Sequence, residues 1–267
     1  MYKRVIVQYL LFFSLTLFGV PAAMADSPYD GWWFIANQPG TGLSLEIQGS
    51  TMFAAIFTYD QGSPVWYSSG AAWNASQKTA SGALNYWTNN SVQENNRLEP
   101  SASDAGTFQI TFTSDNDAIM TYSVKGKISN TTAHLKRFMP IASPGTPDKR
   151  VKGWWYDPTM NGIGIFLEAQ GNTLFGAWYM YHSTGGGGLP FWISFTGSFP
   201  SDASNFTGPV TYWEDGSPIG VTPYKSPSST NTPDHQLILN LKADGKMDVT
   251  WRANGKDAVF HMQRFRF

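Results

Sequence analysis

Apolar and polar residues alternate with a period of two along most of this chain. Leu43, Leu45 and Ile47 alternate with Ser44, Glu46 and Gln48, and Ile165, Leu167 and Ala169 alternate with Phe166, Glu168 and Gln170. Successive side chains of a strand point to opposite faces, so this pattern predicts strands with one apolar face. Gly49-Ser50 and Gly171-Asn172 are turn dipeptides, and the runs Phe53 to Tyr59 and Phe175 to Tyr181 are predicted to fold back as hairpins. Asp60 to Pro64 reads as another turn, leading into a strand over 65–69, with further strands over 82–88, 107–114, 118–125 and 132–138. Beyond the first 25 residues no stretch has a capped helical period. The expectation is an all-β chain.

The pattern occurs twice. Residues 31–59 and 153–181 align without a gap, and 13 of the 29 positions are identical. A four-residue insertion at the Gly185–Gly188 run then shifts the register. Past it, Pro64-Val65-Trp66 meets Pro190-Phe191-Trp192 and Tyr86-Trp87 meets Tyr212-Trp213. The ends also match, His134 to Phe138 against His261 to Phe265, and eight of the 11 tryptophans fall in matched pairs. Residues 139–152, with Pro140, Pro144, Gly145 and Pro147, suit an extended linker. The predicted organisation is a leader over 1–25, unit 1 over 26–138, the linker, and unit 2 over 153–267. Each unit holds about eight short antiparallel strands, which fits an up-and-down barrel or a sandwich.

The leader changes the picture of where the protein works. Lys3 and Arg4 precede an apolar stretch from Val5 to Val20, and Ala23-Met24-Ala25 matches a small-residue cleavage site. Export to the periplasm or cell exterior is expected, with no helix apolar enough to span a membrane after cleavage. Without Lys3 and Arg4 the chain has 16 basic and 19 acidic residues, a formal charge of −3, which argues against nucleic acid as a partner. The absence of cysteine excludes thiol catalysis, cysteine-ligated metals and a lipid-modified cysteine anchor.

Each unit opens with Gly-x-Trp (Gly31 and Trp33, Gly153 and Trp155) and closes with an arginine (Arg137, Arg264). This resembles the signature of the calycin barrels, the lipocalins, avidins and fatty-acid-binding proteins. The resemblance implies that each tryptophan plugs a closed barrel end under a basic side chain from the last strand, with a cation–π contact. The fuller string Gly-Trp-Trp, Gly-x-Gly, Glu-x-Gln-Gly, Tyr and Pro-x-Trp also resembles a repeat of uncharacterised exported bacterial proteins, and implies no activity.

No catalytic constellation is visible, and no metal or cofactor is predicted. Glu46 and Glu168 are equivalent positions in different units and read as outward polar strand positions, not as a paired-carboxylate site. His134, His182, His235 and His261 do not cluster at ligand spacing. The aromatic residues carry the functional expectation. Trp33, Phe53, Phe57, Trp155 and Phe175 are read as inward core. Trp154, Phe166, Trp178 and Met180 form an apolar outer patch on unit 2, either where the units pack or a surface for a partner. The leading expectation is a non-enzymatic binding protein for a small apolar molecule or glycan, held at the barrel mouths or between the units. By repeat symmetry its residues are Trp66, Tyr67, Tyr86, Trp192 and Tyr212. A structural, adhesion or interaction module with an envelope protein partner is the alternative, and an outer-membrane barrel a third possibility.

Overall fold

The computed structural model describes residues 27–89, 92–93, 96–97, 100–139, 148–160, 162–182 and 188–267. The predicted leader, residues 140–147 of the linker and most of the Gly185–Gly188 run lie outside them.

Unit 1 comprises β1 (Gly31–Ile35), β2 (Gln38–Gln48), β3 (Thr51–Asp60), β4 (Ser63–Asn74), β5 (Thr79–Thr88), β8 (Ser101–Phe112), β9 (Asp117–Val124) and β10 (Ile128–Arg137). A small pair, β6 (Val92–Gln93) and β7 (Asn96–Arg97), interrupts the β5–β8 connection. Unit 2 comprises β11 (Gly153–Tyr156), β12 (Gly164–Gln170), β13 (Thr173–Tyr181), β14 (Pro190–Ser198), β15 (Asn205–Glu214), β16 (Ser228–Leu241), β17 (Met247–Ala253) and β18 (Lys256–Arg264). Each unit is a closed eight-stranded antiparallel barrel in which chain neighbours are sheet neighbours and the last strand returns to the first. Closure pairs every strand on both sides, leaving no open sheet edge on either barrel.

The hairpin turns set which residues face inward. Gly49 and Gly171 hold φ of +61° and +60°, the left-handed region a two-residue loop requires at its first position. These loops pair Gln48 with Thr51 and Gln170 with Thr173, so odd-numbered residues of β2 and β12 oppose even-numbered residues of β3 and β13. Leu43, Leu45 and Ile47 therefore share the barrel interior with Ile56, Ala54 and Met52. Ile165 likewise shares it with Trp178.

Two expectations are corrected by this register. Phe53, Phe57 and Phe175 lie on the outer wall, not in the barrel core. Trp178 and Met180 lie on the inner wall of unit 2, where Trp178 contacts Trp251 and Phe260. Each strand alternates as expected, but the two-residue turn reverses the parity of the returning strand.

Both interiors are packed with apolar side chains, apart from a space near the mouth of barrel 1. In unit 1 Phe108, Ile110, Phe112 and Met120 join the β2–β3 residues. In unit 2 Phe195, Phe206, Leu237, Leu239 and Val249 do so, all at most 2% exposed. Trp33 and Trp155 close one end of each barrel. β1 pairs with β10 so that Trp33 faces Arg137, whose guanidinium carbon lies 5.5 Å from the indole centroid, and Arg264 lies 5.4 Å from that of Trp155. The indole N–H groups donate to equivalent carbonyls, those of Tyr29 and Val151.

The other end of barrel 1 is not open. Residues 215–227, the β15–β16 connection of unit 2, lie over it with Ile219 only 1% exposed. The Ile219 N–H donates to Thr58 Oγ1 at 3.0 Å, its carbonyl accepts from the Tyr122 hydroxyl at 2.5 Å, and the Tyr224 hydroxyl donates to the Pro39 carbonyl at 2.6 Å. Ile219→Ala is expected to cost about 2 kcal/mol or slightly more, the low end for a buried isoleucine because the segment can relax. Denaturant unfolding measures the cost, and limited proteolysis should show earlier cleavage within 215–227.

The seam between the barrels

The outer faces of β1–β4 and β11–β14 meet, and the charged residues there answer one another across the seam. The Glu168 carboxylate accepts the Trp32 backbone N–H at 2.9 Å and pairs with Arg137 at 2.7 Å, reaching from unit 2 to the first and last strands of unit 1. Glu46 makes the same reach in the other direction, accepting the Trp154 N–H at 2.8 Å and pairing with Arg264 at 2.6 Å. The outward reading of these glutamates holds for each barrel by itself. Their partners, though, belong to the other barrel, and both carboxylates are buried, Glu168 completely.

Gly31 and Gly153 make room for this exchange. A Cβ on Gly31 would come within 2.3 Å of the Glu168 carboxylate, and one on Gly153 within 2.4 Å of that of Glu46. Asp30 and Lys152, one residue earlier at equivalent positions, lie 3.9 Å apart. Three buried acids (Asp30, Glu46, Glu168) thus face three bases (Arg137, Lys152, Arg264). Burial raises the carboxyls of Asp30, to about 7, and Glu46, against the lowering pull of Lys152 and Arg264 respectively. The two glutamates are held by an arginine and a backbone N–H each, which suits a structural role better than acid–base chemistry.

Aromatic side chains fill the seam around these charges. Phe166 sits between Trp32 and Trp154, with ring centroids 5.2 and 5.1 Å away. Its equivalent in unit 1 is Ser44, whose hydroxyl bonds that of Tyr179 at 2.9 Å. One large ring thus serves both indoles.

On either side of this centre the seam opens into a groove. The wider, about 280 Å³, is lined chiefly by Phe53, Trp66 and Trp87 of unit 1 and by Trp154, Ile163 and Phe265 of unit 2. The narrower, about 150 Å³, is lined by their counterparts Phe175, Trp192, Trp213, Trp32, Thr41 and Phe138. Several polar groups on the walls are occupied, while Trp154 Nε1 and Trp32 Nε1 have no acceptor among the described residues. Trp87 Nε1–H donates to Ser68 Oγ at 2.7 Å and Trp213 Nε1–H to Ser194 Oγ at 2.8 Å. Trp66 and Trp192 donate to the carbonyls of Met180 and Thr58, each at 3.3 Å. Burial pushes the Tyr179 phenol far up, so it stays neutral beside the wider groove.

Comparison of the chain with models of protein families, with curated proteins and with solved structures finds no match.

The five residues singled out as ligand contacts separate. Trp66 and Trp192 face the two seam grooves. Tyr67, Tyr86 and Tyr212 face barrel interiors near the mouths. Tyr67 and Tyr86 touch with centroids 5.6 Å apart, and Tyr67 lines a cavity of about 250 Å³ beneath the Ile219 cover. Burial pushes the Tyr67 phenol up to about 12. The Tyr212 hydroxyl bonds His235 Nδ1 at 2.6 Å. Of the outer patch, Trp154 and Phe166 are in the seam, whereas Trp178 and Met180 are not. The groove residues not singled out were Phe53, Trp87 and Phe265 with their counterparts. Their signal was available: aromatic residues at matched positions in both repeats, on faces that the turn parity turns outward. Among the described residues, no three histidine or acidic side chains gather at metal-binding distance. His134 is exposed, His182 stacks on Phe191 and His261 pairs with Asp248 at 2.8 Å.

Proposed function

We propose that this is an exported, non-enzymatic binding protein that takes a small apolar ligand in the wider groove between its barrels. The observation that carries the reading is the groove itself, a concave space of about 280 Å³ lined by four tryptophans, two phenylalanines and two tyrosines, with the Ser68 and Tyr179 hydroxyls already bonded. Such a surface rewards burial of apolar area and offers few partners to the hydroxyls of a sugar. A glycan is therefore the weaker of the two ligand classes. Export rests on the leader-like residues 1–25.

The mouth of barrel 1 is a poorer candidate because a segment of unit 2 covers it. Closure of both barrels weighs against assembly by strand-edge pairing. The free wall of unit 1 weighs against a lipid setting. Gln109, Thr121, Ser123, Thr132 and Lys136 face out along β8–β10 while Phe108, Met120 and Tyr122 face in, the reverse of the apolar outer band a bilayer requires.

A ligand that binds only the folded chain raises its melting temperature with the logarithm of its excess, and one seated beside Trp66, Trp87 and Trp154 shifts their emission. The expected result, across a library of apolar and glycan ligands, is saturable stabilisation by apolar compounds. Trp87→Ala should weaken binding about tenfold or more through loss of an aromatic wall. Stabilisation by glycans alone would reject the apolar reading, and a blank with both classes would reject the groove as a ligand site.

A further inference from the structure

We infer that the narrower groove is a second site of the same chemical kind, restricted to single-ring apolar molecules, so that the chain holds two such ligands at once. This rests on the reading of the wider groove as a ligand site. The two grooves are built from equivalent residues. Trp66 and Trp87 of one correspond to Trp192 and Trp213 of the other, Phe53 to Phe175, and Phe265 to Phe138. The hydrogen bonds that orient the walls are duplicated as well: Trp87 to Ser68 and Trp213 to Ser194, Trp66 to the Met180 carbonyl and Trp192 to the Thr58 carbonyl. In both, two of the indole N–H groups are already spent on the protein, and a third, that of Trp154 in the wide groove and of Trp32 in the narrow one, is buried without an acceptor among the described residues. The chemistry offered is therefore the same, an aromatic slot with little demand for hydrogen bonds.

What differs is room, and the fold shows why. The β1–β2 ladder continues past Trp33↔Leu43 to Phe34↔Gly42 and Ile35↔Gln38, which draws Thr41 against the narrow groove. The β11–β12 ladder stops at Trp155↔Ile165, so Ile163 and Gly164 stand away from Tyr156 and the wide groove opens. In the narrow groove Phe138 and Phe175 also close to 4.6 Å between centroids, against 5.4 Å for Phe265 and Phe53. A dry apolar cavity of about 150 Å³ is enough for one benzene ring. The narrow groove has that volume, and the wide one has nearly twice it, room for two fused rings.

The test uses the full chain, nitrogen-15 indole spectra assigned with single Trp→Phe variants, and two probes, toluene and naphthalene. Toluene is expected to shift the Trp66 and Trp87 signals and also those of Trp192 and Trp213, at two molecules per chain. Naphthalene is expected to shift only the first pair, binding at least tenfold more weakly beside Trp192. Filling the wide groove with Ala55→Leu, or independently with Ile163→Phe, should abolish the naphthalene response and leave toluene at one per chain. Toluene shifts confined to Trp66 and Trp87 would overturn the second site and leave the wide-groove reading standing. Equal naphthalene shifts at both pairs would overturn the size restriction. No shift with either probe would remove both sites together.

Discussion

Glu168→Ala is expected to lower the unfolding free energy by about 3–5 kcal/mol, the cost of leaving one member of a fully buried ion pair without its partner. Neither the Glu168 nor the Arg137 side chain has any exposed surface. Removing the carboxylate takes from Arg137 its only side-chain partner at that nitrogen among the described residues and strips the Trp32 N–H of its acceptor. Both groups are buried, so their lost hydrogen bonds are costly. Glu46→Ala removes the equivalent contacts but should cost less, about 1–3 kcal/mol, because the Arg264 side chain keeps 20% of its surface exposed and can turn to solvent. Urea unfolding of both variants checks the order, and the double variant Glu168→Ala with Arg137→Ala should be less destabilised than the sum of the singles. A cost below about 1 kcal/mol for Glu168→Ala would mean that this carboxylate is solvated and the seam is not closed as described. Because these pairs join the two barrels, the variants should also separate one cooperative transition into two.

A second large effect is expected from pH. The Asp30 carboxyl is raised to about 7, foremost because burial penalises its charged form and despite the lowering influence of Lys152 and two backbone N–H donors. Unfolded, an aspartate titrates near 4, so between about pH 4 and 7 the folded chain holds a proton that the unfolded chain has lost. Stability from this group is therefore full below about pH 4 and is lost as the pH rises through 7. At about 1.4 kcal/mol per pH unit, the total change is on the order of 4 kcal/mol at most. Glu46 is shifted in the same direction by its burial and adds to the trend. The lowered carboxyls, Asp148 and Asp157 among them, act with the opposite sign, and their stability is lost only below the ordinary aspartate range. Maximum stability is expected near pH 4–5. Unfolding free energies measured from pH 4 to 8 should fall with rising pH, and Asp30→Asn should flatten most of that slope. A wild-type curve that rises from pH 5 to 8 would show that Asp30 is ionised throughout.

The interplay of these two effects explains why the duplication is not a simple copy. Equivalent positions meet across the seam, so an identical pair would place Asp30 against Asp30 or Lys152 against Lys152. The chain instead carries opposite charges at these equivalent positions, and Phe166 where unit 1 has Ser44. Each difference gives one half what the other needs.

By itself the sequence determined what depends on neighbours along the chain. Alternation at Leu43–Ile47 and Ile165–Ala169 marked the strands, Gly49 and Gly171 marked the turns, and the 31–59 and 153–181 match marked two units. Leu135 with Arg137 and Met262 with Arg264 placed each arginine on the inward face. Even the parity of Phe53, Phe57 and Trp178 was legible, since a two-residue loop fixes which residues oppose each other. Only the tertiary structure decided which outer face would be covered. An outward Glu46 or Trp66 looks the same to its own strand whether it meets water or another barrel. The difference lies in partners more than 100 residues away, Arg264 and Met180, and in a covering segment over barrel 1 that comes from unit 2. Strand periodicity records the side of a sheet on which a residue stands. It carries no record of what packs against that side, because that contact is made between elements whose local patterns are complete without it.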